Sequence, residues 1–150
     1  MAGTFEVAVI GAGMSGIFLA EKLQRAGVPF HIYEKAADVG GTWRDNTYPG
    51  LHVDVVTRSY EFSFSRNKDW SHRYAPGSEI QTYLKKVARG LDLANHTSFN
   101  CEIVEARFEG GVWHLRSADD GLVTADVVFC GTGFLREPMI PNLSGRDSFA

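Results

Sequence analysis

The chain has 150 residues, of which 44% are apolar, 12% aromatic and 22% charged, and it carries a formal net charge of -3. That composition excludes disordered, collagen-like and fibrous classes, and the weakly acidic balance offers no electrostatic footprint for a nucleic-acid backbone. A chain of this length buries about 70% of its unfolded surface, enough for one hydrophobic core.

The longest apolar runs, Val7 to Ile10 and Val127 to Cys130, fall far short of the roughly 20 residues a membrane helix needs, and Met1 to Phe5 lack the basic start of a signal peptide. Cys101 and Cys130 sit in apolar or alternating segments, where a free thiol reads as a small buried hydrophobe in a reducing compartment. The expectation is a soluble cytoplasmic protein with no nucleic-acid or membrane partner.

Phe5 to Ile10 is a short β-branched run that stops at Gly11, the pattern of a buried parallel strand followed by a helix. From Met14 to Ala26, Ile17, Leu19, Ala20, Leu23 and Ala26 recur near helical period, and Gly27 supplies a left-handed stop. Val28 to Tyr33 reads as a second strand, so the first 35 residues predict a right-handed βαβ crossover. Lys35 to Ala75 shows no sustained period and holds a Tyr-Pro-Gly turn at 48–50, so it reads as a long functional loop.

Ser78 and Gln81 predict a capping box at the start of a helix whose apolar face is Ile80, Tyr83, Leu84, Val87 and Ala88, with Gly90 at its end. A three-stranded β-meander follows: Phe99 to Phe108 alternates, Gly110-Gly111 turns, Val112 to Arg116 returns, Asp120-Gly121 turns, and Leu122 runs on to Cys130. Val127 to Cys130 is apolar enough to rejoin the central sheet. After Phe134 the chain turns Pro-rich, with Pro138 and Pro141, which reads as a linker leaving the domain. The predicted fold class is α/β, a Rossmann-like doubly wound parallel sheet with a three-stranded β-meander.

Gly11-Ala12-Gly13-Met14-Ser15-Gly16 fits G-x-G-x-x-G between a predicted strand and helix, and Glu34 closes the second strand near the expected spacing. In that pattern Gly11 permits the tight turn, Gly13 lets backbone approach a pyrophosphate at the helix N-terminus, and Gly16 allows helix to pack on strand. Glu34 accepts from a ribose. The histidines show no i, i+4 pairing and the cysteines are far apart, so a metal site has no support. Ser15 lies in the glycine loop, outside any G-x-S-x-G elbow.

Further glycine and aromatic segments follow in order: Gly40-Gly41-Thr42-Trp43, then Tyr48-Pro49-Gly50-Leu51-His52-Val53-Asp54, then Tyr60 to Ser65, and finally Gly131-Thr132-Gly133-Phe134. Together with GAGMSG this series resembles the FAD-domain portion of a Baeyer-Villiger monooxygenase, a class B flavoprotein monooxygenase. The resemblance runs over nearly the whole chain. It departs at Gly131, where the family usually has alanine.

The resemblance implies FAD as cofactor. Gly11, Gly13 and Gly16 would hold its pyrophosphate and Glu34 its ribose; Gly41, Thr42 and Trp43 would lie along its flavin-side half, with Tyr60 also in contact, and Met14, Ser15 and Lys35 are further cofactor-binding positions. The backbone at Ile103 would meet adenine, and Gly131, Thr132 and Gly133 are also implied as cofactor-binding. Asp54 matches the family's active-site aspartate, near flavin and nicotinamide, which helps place an arginine from a later domain. The implied activity uses NADPH and O2 to oxidise a ketone to an ester or lactone through a C4a-peroxyflavin.

Enzymes of that family also carry a second Rossmann unit for NADPH and a returning segment that completes the FAD site, neither of which the sequence contains. The expectation is a fragment of a longer enzyme, inactive alone, with 1–137 as FAD-binding domain and 138–150 as linker toward an NADPH domain. A flavin-containing N- or S-oxygenase shares the glycine segments and is distinguished by the residue at position 54. A disulfide reductase lacks support because Cys101 and Cys130 form no redox motif. A non-catalytic FAD-binding or folding fragment is the third alternative.

Overall fold

The computed structural model describes residues 6–135 and 139–149, so the expected strand start at Phe5, the linker residue Pro138 and the terminal Ala150 lie outside the described residues. Strand β1 (Val7–Ile10) and strand β2 (Phe30–Tyr33) are parallel, with Val7 opposite Phe30 and Ile10 opposite Tyr33. Helix α1 (Met14–Ala26) crosses between them and stops where predicted, at Gly27 with φ 65°. The Gly27 N–H donates to Gln24 O and the Val28 N–H to Leu23 O, which satisfies carbonyls the last turn leaves open. Because Val28 closes the helix, β2 begins two residues later than the sequence suggests.

Strand β3 (Thr97–Ser98) adds to the free side of β2, and strand β7 (Val127–Cys130) pairs in parallel with β1, giving the order β3-β2-β1-β7. Alternation divides this sheet cleanly. Val7, Val9, Phe30 and Ile32 face the main core, where they meet Ile17 and Ala20 of α1 and the predicted apolar face of helix α3 (Gly77–Gly90). Ala8, Ile10, Tyr33 and Val128 face the opposite way and meet the meander: β4 (Ile103–Glu109), β5 (Val112–Ser117) and β6 (Leu122–Ala125). A parallel sheet needs cover on both faces, and here the second cover is an antiparallel sheet.

Several sequence expectations are corrected. The capping box is absent: Pro76 is the N-cap of α3, Ser78 lies inside the helix, and the Gln81 amide donates instead to Val39 O at 2.8 Å. Ala26 is exposed because it closes α1, while Glu21 on that helix is buried and ion-paired to Lys22 and Arg25. The run from Leu122 to Cys130 is two strands, broken at Asp126, whose backbone and carboxylate both bond to Glu6. The first meander strand begins at Ile103, not Phe99. Cys130, at the end of β7, is exposed; Cys101 is half-buried, and burial pushes its thiol pKa up. The long loop is not wholly irregular, because Thr42–Asp45 form a short helix, α2, and Thr57–Ser59 a 3-10 turn.

Candidate functional site

The turn after β1 is fixed by backbone contacts that leave no room for a side chain at Gly11 or Gly16. A Cβ on Gly16 would lie 2.0 Å from the Gly11 carbonyl oxygen, so only glycine lets α1 sit this close to the strand it leaves. Gly131, whose N–H donates to Ile10 O, lies against the same turn: a Cβ on Gly11 would be 2.8 Å from Gly131 O. Thr132 and Gly133 continue from there and are exposed.

Gly13 is the N-cap of α1 in extended backbone, with no side-chain cap and no acidic residue in the first turn. The unneutralised amide dipoles of that turn suit an anion. Met14 is half-buried and Ser15 exposed at this end. Together with Phe18, Leu19, Phe62 and Phe129 they line an open apolar groove of about 400 Å³.

The second glycine segment docks on the first. The Gly40 N–H donates to Ala12 O at 2.9 Å, and a Cβ on Gly41, where φ is 53°, would come within 3.3 Å of Gly13 Cα. From Gly41 the chain enters α2, which carries Thr42 exposed and Trp43 half-buried. The Trp43 indole Nε1 donates to the Tyr60 hydroxyl at 3.2 Å, with the rings edge-on at 5.6 Å. Beyond Tyr60, Phe62 and Phe64 stack at 5.0 Å, as their alternation suggests, and the Phe62 N–H donates to the buried Tyr83 hydroxyl. Burial pushes the pKa of that hydroxyl up.

Glu34 is 4% exposed and its carboxylate ties these segments together. Oε2 accepts from the Ala12 N–H at 2.7 Å; Oε1 accepts from the Ala36 N–H at 3.0 Å and from Arg44 Nη1 at 3.1 Å. A carboxylate has about four lone-pair sites, so three are taken within the chain. Lys35 beside it is exposed.

Arg44 is a residue that sequence reasoning missed. It sits on α2, donates to Asp38 O, and binds Asp45 through two nitrogens at 2.7 and 3.0 Å. Burial works against its charge, but the Asp45 hydrogen bonds and the Glu34 carboxylate outweigh that and hold its pKa above the usual guanidinium value.

Ile103 is half-buried at the head of β4. The backbone leading to it runs along the Glu34 end of β2, with the Asn100 N–H on Ala36 O and the Cys101 N–H on Glu34 O. Asp54 stands apart. The segment around it is pinned by the Val53 N–H on Ala75 O and the Thr57 N–H on Arg73 O, yet its carboxylate is exposed and makes no hydrogen bond to another site residue. The structure therefore brings together Gly11, Gly13, Gly16, Glu34, Gly41, Trp43, Tyr60 and Gly131, and leaves Asp54 outside that network. Among the described residues no cluster of three or more His, Cys, Asp or Glu could hold a metal, and no helix is long and apolar enough to cross a membrane.

Residues 9–75 match the family model of an NAD(P)-binding Rossmann-like domain. The chain is 47% identical to an uncharacterized monooxygenase of Mycobacterium tuberculosis, over 95% of this chain and 29% of that protein. It is 39% identical to a Baeyer-Villiger monooxygenase of Streptomyces coelicolor, over 95% of this chain and 28% of the relative. A solved structure of OTEMO in complex with FAD and NADP superposes with a TM-score of 0.88 at 30% identity, covering 99% of this chain and 29% of that one. In sequence and in fold the chain is thus similar to Baeyer-Villiger monooxygenases, and it spans under a third of the length of these relatives.

Proposed function

We propose that this chain holds the pyrophosphate, ribose and flavin-side half of FAD in a flavin-dependent monooxygenase of the Baeyer-Villiger type. The observation that carries the reading is the backbone contact of Gly13 with Gly41, bridged on one side by Gly40 on Ala12 and on the other by Ala12 on Glu34. Two glycine segments in contact present bare backbone along one continuous path, and the uncapped N-terminus of α1 opens onto it. The residues present fit FAD: the Gly16 and Gly11 positions admit no side chain, and Glu34 keeps an acceptor position to spare.

In this reading the first-turn amides of α1, from Met14 to Gly16, bind the pyrophosphate, and Glu34 accepts a ribose hydroxyl beside Lys35. The backbone near Ile103 borders the adenine. Thr42, Trp43 and Tyr60 orient the flavin-side half, the Trp43–Tyr60 hydrogen bond fixing both rings, and Gly131 to Gly133 close the turn side. Asp54, with a free and exposed carboxylate, positions a cationic group supplied from outside these residues. Bound FAD supplies the redox and dioxygen chemistry, with NADPH as hydride donor and a ketone converted to an ester or lactone. The protein's share is to bind, orient and exclude water.

Residues 1–137 form the cofactor-holding unit in this proposal, and 138–150 lead toward the part that handles NADPH. The test is a titration of the purified chain with FAD, followed by quenching of flavin and tryptophan fluorescence, with FMN in parallel. Saturable binding of FAD, displaced by ADP and much weaker for FMN, is expected, because most of the built contacts lie on the adenosine diphosphate side. A folded chain that binds FMN as well as FAD, or neither, contradicts the proposal.

A further inference from the structure

We propose that Arg44 is a positioning residue for the ribose of the dinucleotide, acting through Glu34; this deepens, and rests on, the FAD reading above. Nothing in the G-x-G-x-x-G pattern calls for a cation ten residues after the acid. Yet the Glu34 side chain is 5% exposed and the Arg44 side chain 16%, so the pair forms where neither charge is well hydrated. An anion buried to that degree needs compensation, and a guanidinium with directed N–H groups provides it in a fixed geometry.

The division of donors between the two carboxylate oxygens gives the pair its purpose. Oε1 receives two donors, Ala36 N–H and Arg44 Nη1, and is filled; Oε2 receives only the Ala12 N–H. The acceptor position left for a ligand hydroxyl is therefore on Oε2, the oxygen bonded to the glycine turn itself. Without Arg44 the carboxylate would hold one donor on each oxygen and lose the asymmetry that selects Oε2.

Arg44 is itself anchored from three directions. It holds Asp38 O and Asp45, and Asp38 is ion-paired to Lys85 of α3 while the neighbouring Val39 carbonyl is held by Gln81 of the same helix. Since Arg44 follows Thr42 and Trp43 on α2, this network makes the ribose acceptor and the flavin-side residues move as one unit.

The test measures the affinity of the protein for ADP and for 2′,3′-dideoxy-ADP, with FAD titrated in parallel, and reads the ratio of the two nucleotide affinities. The unaltered protein should prefer ADP by about tenfold or more, the usual worth of a hydrogen bond to a charged group. Arg44→Gln should bring that ratio close to one, and Arg44→Lys should leave an intermediate ratio, since an ammonium can meet Oε1 but cannot also hold Asp38 O and both Asp45 oxygens. In a Glu34→Gln background, adding Arg44→Gln should change the ratio no further.

A residue that merely pins the loop would weaken both nucleotides alike, so an unchanged ratio in Arg44→Gln overturns the proposal. If Arg44→Gln does not fold, as judged by circular dichroism, an unchanged ratio in Arg44→Lys overturns it equally. FAD binding that persists with an unchanged ratio sinks only the role of Arg44. Failure of the unaltered protein to bind either FAD or ADP sinks the FAD reading and this inference together.

Discussion

The two faces of the parallel sheet are closed in different ways. On the helical face, α1 and α3 seal Val7, Val9, Phe30 and Ile32 beneath Ile17, Ile80, Leu84 and Val87, and the same packing extends through Val39 and Val53 into the long loop. On the meander face the buried apolar residues among those described are Ala8, Leu115 and Ala125, and no residue of β4 is buried. At its outer end Phe108 and Trp113 meet with their rings tilted at 53° and Phe108 is 59% exposed. The glycine contacts gather where β1 leads into α1 and where β7 ends, whereas the meander side adds only the backbone that leads into Ile103. Dense packing is concentrated on the helical side, and the other side supplies a thinner cover.

The sharpest way to break that contrast is at Gly16. The Cβ of Gly16→Ala would meet backbone at 2.0 Å, and neither partner can yield without moving α1 off β1. The expected loss is above about 4 kcal/mol, enough to prevent stable folding; urea unfolding followed by circular dichroism measures it. Next come paired core truncations. Leu84→Ala, in the main core, should cost about 4 kcal/mol, and Leu115→Ala, in the smaller cluster, about 3 kcal/mol, because a thinly covered site collapses more readily around the space left behind. Equal losses would mean that the meander is packed as firmly as the helices.

Gly110→Ala probes the meander's turn. Nothing lies within 4 Å of a Cβ there, but φ is 62°, so the cost should be confined to about 1 kcal/mol of left-handed strain. The smallest effect concerns the β2–β3 edge, where His31 Nε2 and Ser98 Oγ are 2.8 Å apart. Burial lowers the His31 pKa from its ordinary 6.5. The folded state then binds fewer protons than the unfolded state, so this contribution to stability is complete above about pH 6.5 and declines as the pH falls toward the lower folded value. Urea midpoints at pH 7.5 and 5.5 should differ less in His31→Gln than in the unaltered protein.

What could be read in the sequence follows from what has a period. The β-branched run of β1, the 3.6-residue spacing of α1 and the five-residue face of α3 each announce themselves because burial repeats along the chain, and Gly27 marks a stop that the backbone then makes. Helix α2 has four residues and β3 has two, too few for any period to show. The capping box failed for a tertiary reason: Gln81, expected to reach back to its own helix, is captured by Val39 O from another segment. Glu34 was legible as the acid after the second strand, but its partners were not. A salt bridge to Arg44 depends on a loop that folds back over ten residues, and side-chain type alone does not reveal that path.

The central claim, that the turn at Gly13 is an anion-binding cradle for FAD, is tested most directly by Gly13→Asp. Gly13 lies in extended backbone with φ -78°, a Cβ there would make only an ordinary 3.8 Å contact with Gly41 Cα, and an aspartate is a favourable N-cap. The variant should melt at the same temperature as the unaltered protein or higher, while its carboxylate occupies the amides meant for the pyrophosphate and FAD binding is lost. Undiminished FAD affinity in a stably folded Gly13→Asp protein would contradict the account.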